Sequence, residues 1–107
     1  NLIPARLTAL LIAIPYNLLP RWREIAREAG QHRSPNAGWP EAAMARALGV
    51  ALSGPRSYEG KQVDFPLVND AGRKSIGAST IEDAVRALWV TWGVFAALVF
   101  ALALVGF

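Results

Sequence analysis

Residues 87–107 run for 21 positions without an Asp, Glu, Lys or Arg. As a helix rising 1.5 Å per residue they reach about 30 Å, the thickness of a bilayer's hydrocarbon core. With 53% hydrophobic content and a mean hydropathy of +0.28, the 107-residue chain is more apolar than an ordinary soluble domain of this size needs to be. The segment is therefore read as a transmembrane helix. Ser79 with Glu82 reads as a capping box, Asp83 adds negative charge near the helix start, and Arg86, Trp89 and Trp92 suit head-group depth. Gly93, Ala97 and Ala101 recur every fourth residue, which is either a close-packing stripe for a second helix or the chance product of an Ala-rich span.

A second apolar stretch, residues 7–19, has 13 residues with Pro15 inside it and Arg6 just before it. Alone it is too short to span. It reads as the end of a span that begins upstream, a kinked or re-entrant segment, or a helix lying on the bilayer. The chain opens on Asn1 rather than Met, and further chain upstream is expected. Side assignment stays open, because the positive-inside rule weakens for loops beyond about 60 residues.

Residues 20–86 hold ten of the eleven basic and all eight acidic residues and read as aqueous. Residues 21–29 fit a short amphipathic helix, with Trp22, Ile25 and Ala29 on one side, Arg23, Glu24, Arg27 and Glu28 on the other, and Gly30 as its stop. Residues 40–48 fit a second helix, with Pro40 in its first turn, Glu41 at its positive end and Gly49 ending it. Residues 50–52 and 62–65 are strand-like, and Ser53-Gly54-Pro55, Glu59-Gly60 and Asn69-Asp70-Ala71-Gly72 carry turn chemistry. The fold class is thus mainly α: an integral membrane protein with a short N-terminal apolar segment (1–19), a polar loop region (20–86) with short helices and a small β-hairpin, and a C-terminal transmembrane helix (87–107).

With no Cys there is neither a disulfide framework nor a thiolate nucleophile or metal site. The net charge of +3 comes from mixed signs rather than a basic stripe, which argues against nucleic acid and for anionic head groups or an anionic substrate. No P-loop, HExxH, GxSxG or dinucleotide fingerprint is present.

The densest polar information is His32-Arg33-Ser34-Pro35-Asn36-Ala37-Gly38-Trp39-Pro40-Glu41, read as a loop between the two short helices. Pro35 and Pro40 restrict the backbone, Gly38 permits close approach or positive φ, and the following helix N-terminus offers unpaired N–H groups to an oxyanion. Ser34 and Asn36 donate and accept hydrogen bonds, Arg33 can fork a phosphate, and His32 or Glu41 can move a proton. The competing reading is a rigid connector with Ser34 or Asn36 as local caps and His32 solvated. Arg6 is either a snorkelling anchor or an inward-facing phosphate ligand. Asp70 suits an Asx-turn more simply than Mg²⁺.

The run from His32 to Met44, preceded by Ile3-Pro4-Ala5-Arg6-Leu7-Thr8-Ala9 and followed by Leu48-Gly49-Val50 and Gly54-Pro55-Arg56-Ser57-Tyr58-Glu59-Gly60, resembles the CobD/CbiB family of cobalamin biosynthesis. The Ser34-Pro35-Asn36-Ala37-Gly38 core is the specific part. The resemblance covers essentially the whole chain but only the C-terminal part of a family of longer, multi-span membrane proteins. It implies an adenosylcobinamide-phosphate synthase that joins an amino-alcohol phosphate, typically aminopropanol phosphate, to a propionate carboxyl of adenosylcobyric acid, with ATP and Mg²⁺ as co-substrates and the corrinoid as substrate.

Carried over onto this chain, the resemblance implies His32 and Glu41 as catalytic residues. Arg33, Ser34, Asn36 and Gly38 become substrate-binding, with Arg6 and Tyr58 as outer members; the nucleotide and metal sites stay unassigned. It implies a multi-pass location in the cell membrane, a bacterial inner membrane, and as partners the rest of the family protein or further copies of the chain. Two other classes compete: a membrane regulator resembling AmpE, without ligase activity, and a non-catalytic scaffold pairing through Gly93, Ala97 and Ala101.

Overall fold

The computed structural model describes residues 2–31, 34–58 and 60–106. The chain folds mainly as helices: α1 (Leu2–Ala13), α2 (Trp22–Gln31), α3 (Pro35–Leu48) and α4 (Ala78–Leu104), with a short 3-10 turn at Leu19–Arg21 before α2. Between α3 and α4 lies a two-stranded antiparallel hairpin, β1 (Leu52–Tyr58) and β2 (Lys61–Val68).

The core is built on small residues. Ala5, Ala9, Ile12 and Ala13 follow one another along one face of α1, and Trp39, Ala42 and Ala43 do the same on α3. Spacings of three and four residues align side chains on one side of a helix, and alanine there lets the two backbones approach closely. Ile25 and Ala29 of α2, with Leu18 and Val68, complete the cluster. Burying a side chain the size of Ile25, which is fully enclosed, contributes about 1.5–3 kcal/mol. The apolar stretch expected at residues 7–19 is helical from Leu2 and ends at Ala13, followed by a turn in which Asn17 takes a φ of 57°. Pro15 has no N–H with which to continue the ladder.

Two local expectations about α2 are corrected. Gly30 lies inside the helix, not at its stop. Glu28, assigned to the solvated side with Arg23, Glu24 and Arg27, is buried at 5% exposure, because α3 covers that part of the helix and supplies a charged partner.

The third correction concerns the segment read as a loop up to Pro40. It is helix from Pro35 onwards. Pro35 occupies the first turn, where a missing N–H costs nothing and the fixed φ is already helical. Gly38 is helical and buried rather than positive in φ, and its N–H bonds to the Ser34 carbonyl at 2.9 Å. Pro40 sits inside the helix and removes the one N–H that would close on the Asn36 carbonyl. Gly49 ends α3 as expected, with φ 68° and its N–H turned back on Ala45 and Arg46.

The hairpin is longer than the sequence indicated. Ser53-Gly54-Pro55, read as a turn, is part of β1 and forms the irregularity where the register shifts between Ser53↔Leu67 and Pro55↔Asp64. A bulge accommodates a proline within a strand because one position there need not donate. Glu59 lies outside the described residues, and Gly60 takes a φ of 78° in the reversal. Asn69-Asp70-Ala71-Gly72 is a turn as expected, and a parallel bridge pairs Val50 with Arg73 beside it.

The long helix starts nine residues before the uncharged segment, at Ala78, and Gly77 is its N-cap with no side-chain hydrogen bond. Ser79 is therefore inside the helix, and the capping box of Ser79 with Glu82 does not form. Thr80 and Ala87 are buried and Asp83, Ala84, Thr91 and Val94 half-buried, a stripe at three- and four-residue steps that packs on α1 and α3. Beyond Val94 every described residue of α4 is exposed, Ala97 and Ala101 included, and Gly93 just before it is exposed as well. This helix gives the molecule its length, 54 Å against 31 and 27 Å, and among the described residues it is the one helix long and apolar enough to cross a membrane.

Candidate functional site

Of the ten-residue motif, His32 and Arg33 lie outside the described residues, as does the Tyr58 side chain. The rest stand at the head of α3. Ser34 is the N-cap residue, exposed and extended at φ −121°, with no capping bond from its own side chain. Asn36 is exposed within the first turn, and Glu41 is half-buried. At 100° per residue Ser34 and Glu41 fall within about 20° of one another around the helix, whereas Asn36 is turned about 140° from Glu41. The helix thus brings Ser34 and Glu41 to one side and sends Asn36 to another. A helix N-terminus carries roughly half a positive charge on its first N–H groups, a field that favours an oxyanion, and Asn36 adds a main-chain carbonyl relieved of its usual N–H partner by Pro40.

Arg6 is brought to the motif by a residue that sequence reasoning passed over. Its guanidinium lies 5.4 Å from the Trp39 ring centre, and Trp39 packs against Trp22 of α2 in a tilted pair, the ring centres 5.3 Å apart and the planes at 34°. The column joins α1, α3 and α2, and holds Arg6 by a cation–π contact typically worth about 0.5–2 kcal/mol. The tryptophan between Gly38 and Pro40 was the available signal, but a lone Trp reads equally well as core.

A second polar grouping lies toward the other end of the α2–α3 pair. Arg46 Nη2 stands 2.8 Å from Glu28 Oε1, Arg46 Nη1 donates to Asn69 Oδ1 at 2.8 Å, and the Asn69 main-chain N–H donates to Glu28 Oε2 at 2.9 Å. Asn69 Nδ2 donates to the Val50 carbonyl at 3.0 Å. Asn69 holds a φ of 55°, a conformation that asparagine tolerates better than most residues. Gly72 is tight against the same place: a Cβ there would lie 2.5 Å from the Val50 carbonyl carbon and 2.8 Å from Asn69 Nδ2. Nothing local to Arg46 points to this hub, since it sits in an alanine-rich run and its partners are 18 and 23 residues away. Asp70, weighed as a Mg²⁺ ligand, is exposed and pairs with Lys74 at 3.4 Å. Among the described residues no three His, Asp or Glu side chains converge in a metal-binding group.

The family model described as CobD/Cbib protein matches residues 1–88. The chain is 46% identical over 99% of its length to cobalamin biosynthesis protein CobD of Brucella suis biovar 1, covering 35% of that protein. It is 48% identical over 96% of its length to CobD of Rhizobium meliloti, covering 33% of it. It is also 42% identical over 84% of its length to cobalamin biosynthesis protein CbiB of Salmonella paratyphi B, covering 30% of it. The chain therefore spans about a third of the length of the curated relatives it matches. No solved structure matches. With a family match over most of its length and full-length similarity to these relatives, the chain belongs to the CobD/CbiB family.

Proposed function

We propose that this chain serves cobalamin biosynthesis as part of an adenosylcobinamide-phosphate synthase, the ATP-dependent ligase that couples an amino-alcohol phosphate to adenosylcobyric acid. The observation that carries the reading is the 46% identity over 99% of the chain to a protein named for cobalamin biosynthesis. In the reaction, a propionate carboxylate of the corrinoid attacks the γ-phosphorus of ATP and releases ADP. The amine of aminopropanol phosphate then attacks the acyl phosphate, phosphate leaves, and the amine proton passes to a base. The nucleophile must be the free amine, so a base within hydrogen-bond reach is needed.

The motif at the head of α3 supplies groups of the right kinds. Arg33 and Ser34 take phosphate oxygens at the positive helix end, Asn36 contacts an amide or carboxylate, and His32 or Glu41 receives the amine proton. Gly38 lets the motif pack without a side chain, and Arg6 and Tyr58 are outer contacts. Mg²⁺ enters with the nucleotide phosphates, which need only one or two carboxylates from the protein. The apolar α4 fixes the assembly in the cell membrane as one span of a multi-pass protein of the bacterial inner membrane.

The test is a coupling assay in nanodiscs with adenosylcobyric acid, aminopropanol phosphate and Mg-ATP, reading the amide by mass spectrometry. It is run on this chain and on the full-length family protein. Amide from the full-length protein that falls at least tenfold in Asn36→Ala and Glu41→Ala supports the reading and the residue roles. No amide from either would overturn it in favour of an AmpE-like regulator.

A further inference from the structure

Along α1 the residues Ile3, Arg6, Leu7, Leu10 and Ile14 follow one another at three- and four-residue steps. At 100° per residue they fall within about 100° of one another around the helix, turned away from the Ala5, Ala9, Ile12 and Ala13 face that packs in the core. Ile14 carries the stripe past the helix end, because its N–H still closes on the Leu10 carbonyl at 3.0 Å. Ile3 and Leu7 stand 70% and 49% exposed. Thr8, on the flank, donates its hydroxyl to the Pro4 carbonyl at 2.8 Å and so needs no water partner for its proton. Arg6 is the one charge in the stripe. It is exposed, and among the described residues it makes no ion pair and donates no hydrogen bond; what holds its charge is the Trp39 ring, 5.4 Å away.

A guanidinium with its N–H groups unclaimed, set in an apolar stripe, calls for two chemistries at once. A soluble anion meets Arg6 and leaves the leucines and isoleucines in water. An apolar partner covers the stripe but strips the guanidinium of water without supplying a counter-charge. A phospholipid carries both parts in one molecule. We propose that this face of α1 binds an anionic phospholipid, its phosphate on the Arg6 guanidinium and an acyl chain laid along the leucine and isoleucine side chains beside it. Trp39 already restrains the guanidinium through its cation–π contact, so little rotamer freedom is left to lose when the phosphate arrives. The inference rests on the reading of α4 as a membrane span. The first half of α4 packs on α1, and its exposed Arg86 and Trp89 suit head-group depth, which brings α1 to the bilayer surface.

The test places a bimane on Leu7→Cys, and in a separate sample on Leu98→Cys in the bare half of α4, each as the sole cysteine of the full-length family protein. The protein is held in nanodiscs in which a fixed share of the lipid is brominated phosphatidylglycerol or brominated phosphatidylcholine. At Leu7 the phosphatidylglycerol quenches about fivefold more strongly than the same share of phosphatidylcholine, the enrichment that one basic side chain gives at an anionic surface. Arg6→Gln brings the two lipids to parity and Arg6→Lys, which keeps the charge, retains the preference; unchanged quenching by phosphatidylcholine in both variants shows the fold intact. Parity with Arg6 in place, or a preference that survives Arg6→Gln, overturns the proposal. So does loss of the preference on adding inorganic phosphate at constant ionic strength, which gives Arg6 to a soluble anion. Quenching at Leu98 but by neither lipid at Leu7 means that protein covers this face, and overturns the lipid site alone. Quenching at neither position removes α4 from the bilayer as well. No arm needs turnover, so the outcome is separate from that of the coupling assay.

Discussion

A methyl group at Gly72 would stand 2.5 Å from the Val50 carbonyl carbon, and main chain cannot step aside as a flexible side chain can. Gly72→Ala is therefore expected to lower stability by about 1–3 kcal/mol, read as a fall in the thermal midpoint of the purified protein in detergent. Glu28 and Arg46 make a sharper case. Their side chains are 6% and 11% exposed, and removing one member leaves the other charged and buried. Arg46→Met is expected to cost about 3–5 kcal/mol, and the double replacement with Glu28→Leu less than that, because a buried pair costs desolvation that an apolar pair avoids. A double-mutant cycle on thermal midpoints checks the sign; a double variant less stable than Arg46→Met would show the pair to be worth more than its apolar substitute.

Helix boundaries decide much of what the molecule presents. The motif at residues 34–41 looked like loop because two prolines and a glycine are ordinary breakers. Yet Pro35 at the first helical position favours the helix, and Pro40 lies inside it, where the missing N–H and the crowding of its ring against the Asn36 carbonyl are outweighed by the burial of Trp39, Ala42 and Ala43 on either side. The same misjudgement runs in reverse at α4, where Ser79 and Glu82 have the spacing of a capping box but Gly77 is the cap. Ser79→Ala should then change stability by less than about 0.5 kcal/mol, whereas Gly49→Ala, at φ 68°, should cost about 1 kcal/mol. Thermal melts of the two variants side by side separate these outcomes. Legible in advance were the alternation of apolar and turn residues behind the hairpin, the Gly49 stop and the uncharged span. What stayed hidden was every feature set by a distant partner: Glu28 looked solvated because its neighbours on α2 are, and only Arg46 and Asn69, brought in by the fold, make its burial tolerable.

At the scale of the molecule, α4 is divided. Its first half carries the stripe from Thr80 to Val94 that packs on α1 and α3, and its second half is bare and apolar. A charge placed in the bare half should oppose membrane insertion: Leu98→Arg is expected to cost about 2.5–3.5 kcal/mol at the centre of a span, seen as a fall in the carbonate-resistant fraction of the expressed protein. Unchanged resistance would remove α4 from the bilayer. The polar hub has a further consequence, for the order in which the chain assembles. The Asn69 amide and Glu28 are 41 residues apart, while α1, α2 and α3 follow one another closely in the chain. Contacts of long sequence separation carry the larger loop-closure cost and tend to form late. The three helices can therefore come together first around their alanines, with the Glu28 carboxylate still hydrated. Docking of the hairpin then closes the water out, which makes loss of the hairpin's hold on Glu28 the natural first step of unfolding.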